Sequence, residues 1–372
     1  MRKLRLFLIC VLMTCLGIDS YEPFAMAHDT SQMILSVKAS DDADMETRLT
    51  IFNSKIVDDI ARGGIRNRAQ AIPVTDTYLT VVSRNGSTLF KADRKGRLFN
   101  EQTGEMVVPH KSAQKALLQY MNQLRAIHYG RIVEWSKVSR MLPKKSVFTV
   151  VDLETGLAFR VQKRAGQHHA DVQPLTKRDT AIMKRIYNGK WSWQRKAVLI
   201  QTGTETLAAS MHGMPHGGDG IPDNGFSGHF CIHFLGSTTH GSRNVDPGHQ
   251  LMIRKAAGTL DEYLEHASPY EVADAFLIAM HSKESQIAKM CFPHAAHPQI
   301  ALILTMMNEI TGIQKRSETI TASNTSNLLA LEIPVAVGIS RKGRREEKTT
   351  FIFHMRRASQ LEPWKIDFVD MR

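Results

Sequence analysis

Cysteine is scarce in this sequence. Only Cys10, Cys15, Cys231 and Cys291 occur among 372 residues, too few for a disulfide framework. Long apolar runs are missing after the N-terminus, so no later stretch is expected to cross a membrane as a helix and any membrane association is peripheral. Acidic residues are in deficit, 36 against 48 Lys and Arg, for a formal charge of +12. That surplus suits anionic partners, although a solvated basic surface has the same composition. Residues 28–140 carry no catalytic constellation, which leaves them docking or spacing.

What is present begins with an export signal. Arg2, Lys3 and Arg5 precede an apolar run at residues 6–18, and Ala25-Met26-Ala27 follows. This is the pattern of a secretory signal peptide over residues 1–27, cleaved after Ala27. An uncleaved N-terminal anchor is the alternative. Cleavage removes three basic and two acidic residues, taking +12 to +11. It also removes Cys10 and Cys15, so that Cys231 and Cys291 either bond to each other or remain free, one as a working thiol. The expected location is secreted, periplasmic or cell-wall associated. Nucleic acid is excluded there, and peptidoglycan peptides or other anionic envelope polymers are favoured.

With 42% hydrophobic and 23% charged residues, the chain is globular and long enough for two or three domains. Residues 28–140 read as a small α+β domain. It has strands at 33–37, 48–52, 79–82 and 88–91, an Asn85-Gly86 hairpin turn and a helical stripe over 112–127. Residues 145–262 read as mostly β. A hairpin at 147–162 opens this domain, a helix lies at 177–187, and strands lie at 197–200 and 206–210. His168, His169 and Asp171 fall in an expected loop, where exposed and idle side chains are the commoner outcome. Asp246-Pro247 marks the start of a further helix, which Gly258 stops. Residues 267–372 carry helices at 270–281 and 298–309, then strands at 328–339, 349–355 and 364–368. The basic run at 341–348 is a charged hairpin tip. The fold class is therefore α+β and multidomain.

The chemistry concentrates in residues 211–249. Six of the chain's 16 histidines lie there, His212, His216, His229, His233, His240 and His249, with Cys231 among them. As a strand, residues 228–234 alternate, with His229, Cys231 and His233 on one face and Phe230, Ile232 and Phe234 on the other. A thiol reacts as thiolate, so it needs an imidazole base, and the acyl intermediate needs N–H donors. The Gly217-Gly218, Gly225 and Gly228 turns are candidate donors. Trp191 and Trp193, two apart on an extended segment, point the same way and suit substrate stacking or core anchoring.

Gly228-His229-Phe230-Cys231-Ile232-His233-Phe234, with His212-Gly213 and His216-Gly217 upstream, resembles the L,D-transpeptidase catalytic domain of bacterial wall synthesis. That family carries His-Gly after a strand, then Ser-His-Gly-Cys-Ile/Val-Arg-Met/Leu. The likeness runs over roughly residues 147–258. Phe230 replaces a glycine of the pattern, His233 replaces its arginine, and residues 236–244 form an extra loop. The resemblance implies a mostly β fold and a nucleophile, Cys231. The base is His212 or His216, His229 shapes the site, and substrate contacts come from Gly228, Phe230 and His233, with Trp191 and Trp193 added as substrate contacts from their own spacing. The implied reaction is acyl transfer or hydrolysis at a stem peptide, without a cofactor. The helices and terminal Trp-Lys-Ile of residues 267–372 are similar to the nuclear-transport-factor-2-like superfamily, which implies an accessory module.

Two other readings stay open. His216, Asp223, His229 and His233 offer ligands for zinc in a wall peptidase, since zinc takes three or four N, O or S donors. Cys231 is itself a possible structural zinc ligand. Alternatively, the fold binds the envelope without catalysis.

Overall fold

Three antiparallel sheets organise the chain, in a computed structural model that describes residues 32–52, 54–83, 86–218, 220–241, 243–316 and 324–371. The segment expected to be a signal peptide lies outside these residues, as does Asn85 of the expected hairpin turn. Among the described residues no helix is long and apolar enough to cross a membrane.

The first sheet is built from β1 (Gln32–Lys38), β2 (Glu46–Ile51), then, after helix α1 (Ser54–Arg62), β3 (Ile65–Arg68), β4 (Thr77–Ser83), β5 (Gly86–Ala92), β6 (Leu98–Asn100) and β7 (Glu105–Val108). Its order is β2-β1-β4-β5-β6-β7-β3. In β1, Met33, Leu35 and Val37 are buried on one face, as period-two alternation requires. Helix α2 (Lys111–His128) packs on β1 and β2. Its buried stripe is Ala113, Leu117, Met121 and Leu124, with Ala116 and Tyr120 at the margins. Helix α3 (Trp135–Met141) leads away from this sheet, and the Trp135 ring stacks on Phe234 at 5.9 Å.

The second sheet closes into a barrel. Its strands are β8 (Val147–Asp152), β9 (Ala158–Ala165) and β10 (Ala170–Pro174), then, after α4 (Lys177–Ile186), β11 (Arg195–Gln201), β12 (Thr206–His212) and β13 (Phe230–His233). The order around the barrel is β10-β13-β12-β11-β8-β9. Val198, Ile200, Leu207, Ala209, Met211, Phe230, Ile232 and Phe234 fill its interior. Ala197, Leu199 and Ala208 face outward into a second core, under helix α5 (Pro247–Ala256). Burial on both faces explains why β11 and β12 read as nearly unbroken apolar runs. Helix α5 starts where the sequence places it: the Asp246 side chain accepts from the His249 amide at 2.9 Å, and Pro247 takes the first turn.

Helices α6 (Leu260–His266), α7 (Pro269–Ser282), α8 (Ser285–Met290) and α9 (Ile300–Glu309) precede the third sheet. That sheet runs β14 (Ile310–Lys315), β15 (Ala330–Arg341), β16 (Glu347–Arg356) and β17 (Lys365–Met371) in chain order. One continuous core joins β1 and α2 through α5 to α7 and β15–β17. Lys255 of α5 is buried within it and bonds both Glu154, between β8 and β9, and Glu284, between α7 and α8. Burial alone would lower the lysine's pKa, but the two carboxylates outweigh it and hold the ammonium charged. Glu154 also accepts from Ser40 Oγ at 2.7 Å, which brings the first sheet into the same network.

Candidate functional site

Strand β13 presents the thiol. Its neighbours are β10 and β12, with Asp171 directly opposite Cys231 and Met211 opposite Ile232. The alternation expected from sequence holds for the strand. Phe230 and Ile232 enter the barrel core, while Cys231 and His233 face a cavity of about 1070 Å³. Cys231 is 3% exposed and free, and so is Cys291; the two do not bond.

Of the two His-Gly pairs, the second supplies the partner. His216 Nε2 lies 3.3 Å from Cys231 Sγ. His216 Nδ1 lies 3.0 Å from the Met214 carbonyl, an acceptor, so Nδ1 carries the proton and Nε2 turns a lone pair to the thiol. The backbone fixes this placement, because His216 and His229 exchange both amide hydrogen bonds, at 2.9 and 2.7 Å. Glycine is required on both sides of that bridge. A Cβ on Gly217 (φ +70°) would sit 2.3 Å from the His229 ring, and one on Gly228 (φ +84°) would sit 2.3 Å from the His216 carbonyl.

His212 ends β12 and has a different role. Its Nδ1 accepts from the Met214 amide at 3.4 Å, and its ring packs against Trp193 and His216 at 4.7 and 5.3 Å. Burial, with His216 and Arg195 nearby, pushes its pKa down to about 3. It is a neutral wall residue beside His216.

Of the segment expected to idle in a loop, His168 and His169 do precede the strand, but Asp171 lies in β10, and His169 and Asp171 enter the site. Asp171 Oδ1 lies 3.2 Å from His169 Nε2, 3.1 Å from His240 Nε2, 3.8 Å from His229 Nε2 and 3.8 Å from Cys231 Sγ. Burial alone would raise this carboxyl, but the hydrogen bond and charge of His169, with His229 and His240, hold it below the usual range. Burial, followed by the Asp171 charge and hydrogen bond, pushes the Cys231 thiol well above its ordinary range. At rest the sulfur is therefore held as the thiol. In the sequence a site role for Asp171 ranks below an idle loop, because Ala-Asp-Val-Gln-Pro has little strand propensity; the one signal for it is the neighbouring His168-His169 pair.

Several expected site residues fall elsewhere. Phe230 is fully buried among Phe159, Phe226 and the barrel core, so it does not touch substrate. Gly228 is buried too, and its carbonyl accepts from Gln173 Nε2, which makes it a backbone residue and not a substrate contact. His233 does line the cavity, stacked on His249 at 3.8 Å with its Nδ1 3.0 Å from Ser237 Oγ. Burial, with His169 and His212 nearby, pushes its pKa down to about 2. Trp191 and Trp193 both line the cavity; Trp191 is half-buried with its edge on Phe226, and Trp193 is exposed.

The expected zinc quartet does not assemble. Asp223 stands exposed, with φ +57°, and His233 belongs to the stacked wall. The groups that do converge among the described residues are His216, His229, Cys231 and His240, and, sharing two members, His169, Asp171, Cys231 and His240. Within each group the candidate ligand atoms lie within 4.8 Å of one another.

The cavity is not the barrel's alone. Its far wall includes His281 of α7 and residues Thr311 to Lys315 of β14. Charges on the wall are paired internally, Arg195 with Asp246 at 2.6 Å and Lys315 with Asp274 at 2.6 Å. No family model matches the chain, and no curated protein sequence matches it either.

Proposed function

We propose that the protein is an exported cysteine-dependent acyltransferase or peptidase of the L,D-transpeptidase type, acting on peptidoglycan stem peptides. The observation that carries this reading is the Cys231–His216 pair, 3.3 Å apart, with the imidazole oriented by the Met214 carbonyl. In this reading Sγ attacks the carbonyl of the diamino-acid residue of a stem tetrapeptide while its proton passes to His216 Nε2. The bond to D-Ala breaks, and His216 returns the proton to the departing amine. The thioester is then resolved by an acceptor amine or by water, whose proton His216 removes.

Both departures from the family motif are compatible with this chemistry. The Phe230 side chain points into the barrel, so it adds packing behind the thiol and leaves the reacting face clear. His233 puts a neutral imidazole where the motif has a guanidinium, which weakens any contact with a substrate carboxylate. The third sheet and its helices serve as an accessory module that also walls the cavity.

The test is incubation of the metal-free, full-length protein with stem tetrapeptide, followed by mass spectrometry. Release of D-Ala and a trapped acyl adduct on Cys231 are the expected results. Turnover that persists after Cys231 is alkylated would overturn the reading.

A further inference from the structure

The insertion at residues 236–244, the part of the motif region with no place in the family pattern, brings His240 to the thiol. Within this segment Thr238 is tied down from both sides: its amide donates to the His168 carbonyl at 3.1 Å, and its carbonyl accepts from His169 Nδ1 at 2.7 Å. His240 then completes a set of one thiol and three imidazoles, His216, His229 and His240, whose candidate ligand atoms lie within 4.8 Å of one another. The His229 Nε2 atom is buried without a hydrogen-bond partner.

We propose that Cys231, His216, His229 and His240 form a binding site for a divalent ion of the zinc class, and that ion binding and nucleophilic attack by Cys231 exclude each other. The second half of this statement rests on the cysteine reading above; the first half does not.

The donor set selects the ion. A thiolate with three imidazoles is a borderline-soft tetrahedral set that suits zinc and not magnesium or calcium. Bond lengths of that class place tetrahedral ligand atoms roughly 3.3–3.6 Å apart. The Cys231–His216 pair, at 3.3 Å, has that spacing already, and the widest pair needs to close by about an ångström. The Met214 carbonyl fixes the His216 tautomer, and Asp171 lies 3.1 Å from His240 Nε2, where it can hold that ring while Nδ1 turns to the ion.

Four protein ligands leave no open position on the ion, so this is not the site of a hydrolytic zinc. Binding replaces the S–H bond with a sulfur–metal bond and releases the proton to solvent, with no change of oxidation state. It occupies the lone pairs of both the nucleophile and its base.

The experiment is equilibrium dialysis of the metal-free, full-length protein against zinc sulfate, with metal analysis and iodoacetamide labelling of Cys231. One ion per chain is expected, together with labelling slowed at least about tenfold and restored by a chelator. Cobalt(II) should give a thiolate-to-metal charge-transfer band that Cys231→Ser abolishes. His240→Ala alters a half-exposed loop side chain. It should label at the wild-type rate without metal, yet bind zinc about 10–100-fold more weakly. Less than one-tenth of an ion per chain at micromolar zinc would overturn the site. So would wild-type affinity in His240→Ala, or a larger loss in Asp171→Asn than in His216→Ala. None of these readouts uses substrate, so failure of the metal site and failure of the wall-peptide activity are distinguishable.

Discussion

Cys231 and Cys291 are buried alike, 3% and 1% exposed. Both thiols are pushed upward, chiefly by burial; Cys291 reaches about 12. The surroundings differ. Cys291 Sγ faces the Ile287 and Val272 carbonyls at 3.3 and 3.8 Å, at the end of α8, amid the core shared by α7 and the third sheet. Its hydrogen-bond partners are carbonyl acceptors, and the Lys365 charge, which pulls the other way, does not outweigh burial. Cys231 has an imidazole lone pair at 3.3 Å, a carboxylate at 3.8 Å and a cavity in front of it. Burial alone makes a thiol inert; an oriented imidazole and an open cavity are what the proposed nucleophile has and Cys291 lacks.

The sharpest way to break this contrast is to remove each sulfur in turn. Cys231→Ser should lower turnover of a stem tetrapeptide by more than about a thousandfold, while Cys291→Ala should leave it within about twofold and reduce stability by about 1–2 kcal/mol, seen by chemical denaturation. Equal losses of turnover would erase the distinction. Next in size is the choice of base. His216→Ala should lower kcat by about a hundredfold or more, and His212→Ala by less than about tenfold. The opposite order would transfer the role to His212.

Acid should separate the two regions as well. His212 and His233 have folded pKa values of about 3 and about 2, below the ordinary 6.5, so the folded state binds fewer protons than the unfolded chain. Their contribution is intact above pH 6.5 and is lost as pH falls from 6.5 toward those values. Each group costs about 2 kcal/mol between pH 6.5 and 5. Labelling with an acid-active disulfide reagent at pH 5 should therefore open Cys231 before Cys291; simultaneous opening would contradict the contrast. The smallest effect is electrostatic. Asp171→Asn removes a charge that raises the Cys231 thiol, so its labelling at pH 8 should speed up about three- to tenfold while that of Cys291 stays constant.

Sequence patterns gave most of the scaffold around these thiols. Period-two alternation located β1 and β13, and Asp246-Pro247 located the start of α5, because each depends on neighbours only a few residues away. The base was different. His212 and His216 are both followed by glycine, and only the backbone bridge between His216 and His229 decides which imidazole meets the sulfur. Asp171 and His240 reach the site through pairings 60 and 69 residues apart in sequence, and no local pattern registers such a contact. The far wall was hidden for the same reason. Strand β14 follows directly from α9 and carries Thr, Gly, Gln and Lys, a composition that reads as a loop.

The buried lysine of α5 also sets an order of assembly. Lys255 finds its first carboxylate, Glu154, 101 residues upstream, but its second, Glu284, 29 residues downstream. A chain emerging from its N-terminus can close the barrel with Lys255 holding only one of its two carboxylates, before the α7 and β14 side of the cavity is present. Residues 311–315 of β14, and the Ile366 amide that ties β17 to the Cys291 carbonyl at 2.8 Å, come later still. Cys231 thus gains the far wall of its cavity only after residues 311–315 have been made, and a product truncated before them would carry the thiol without that wall.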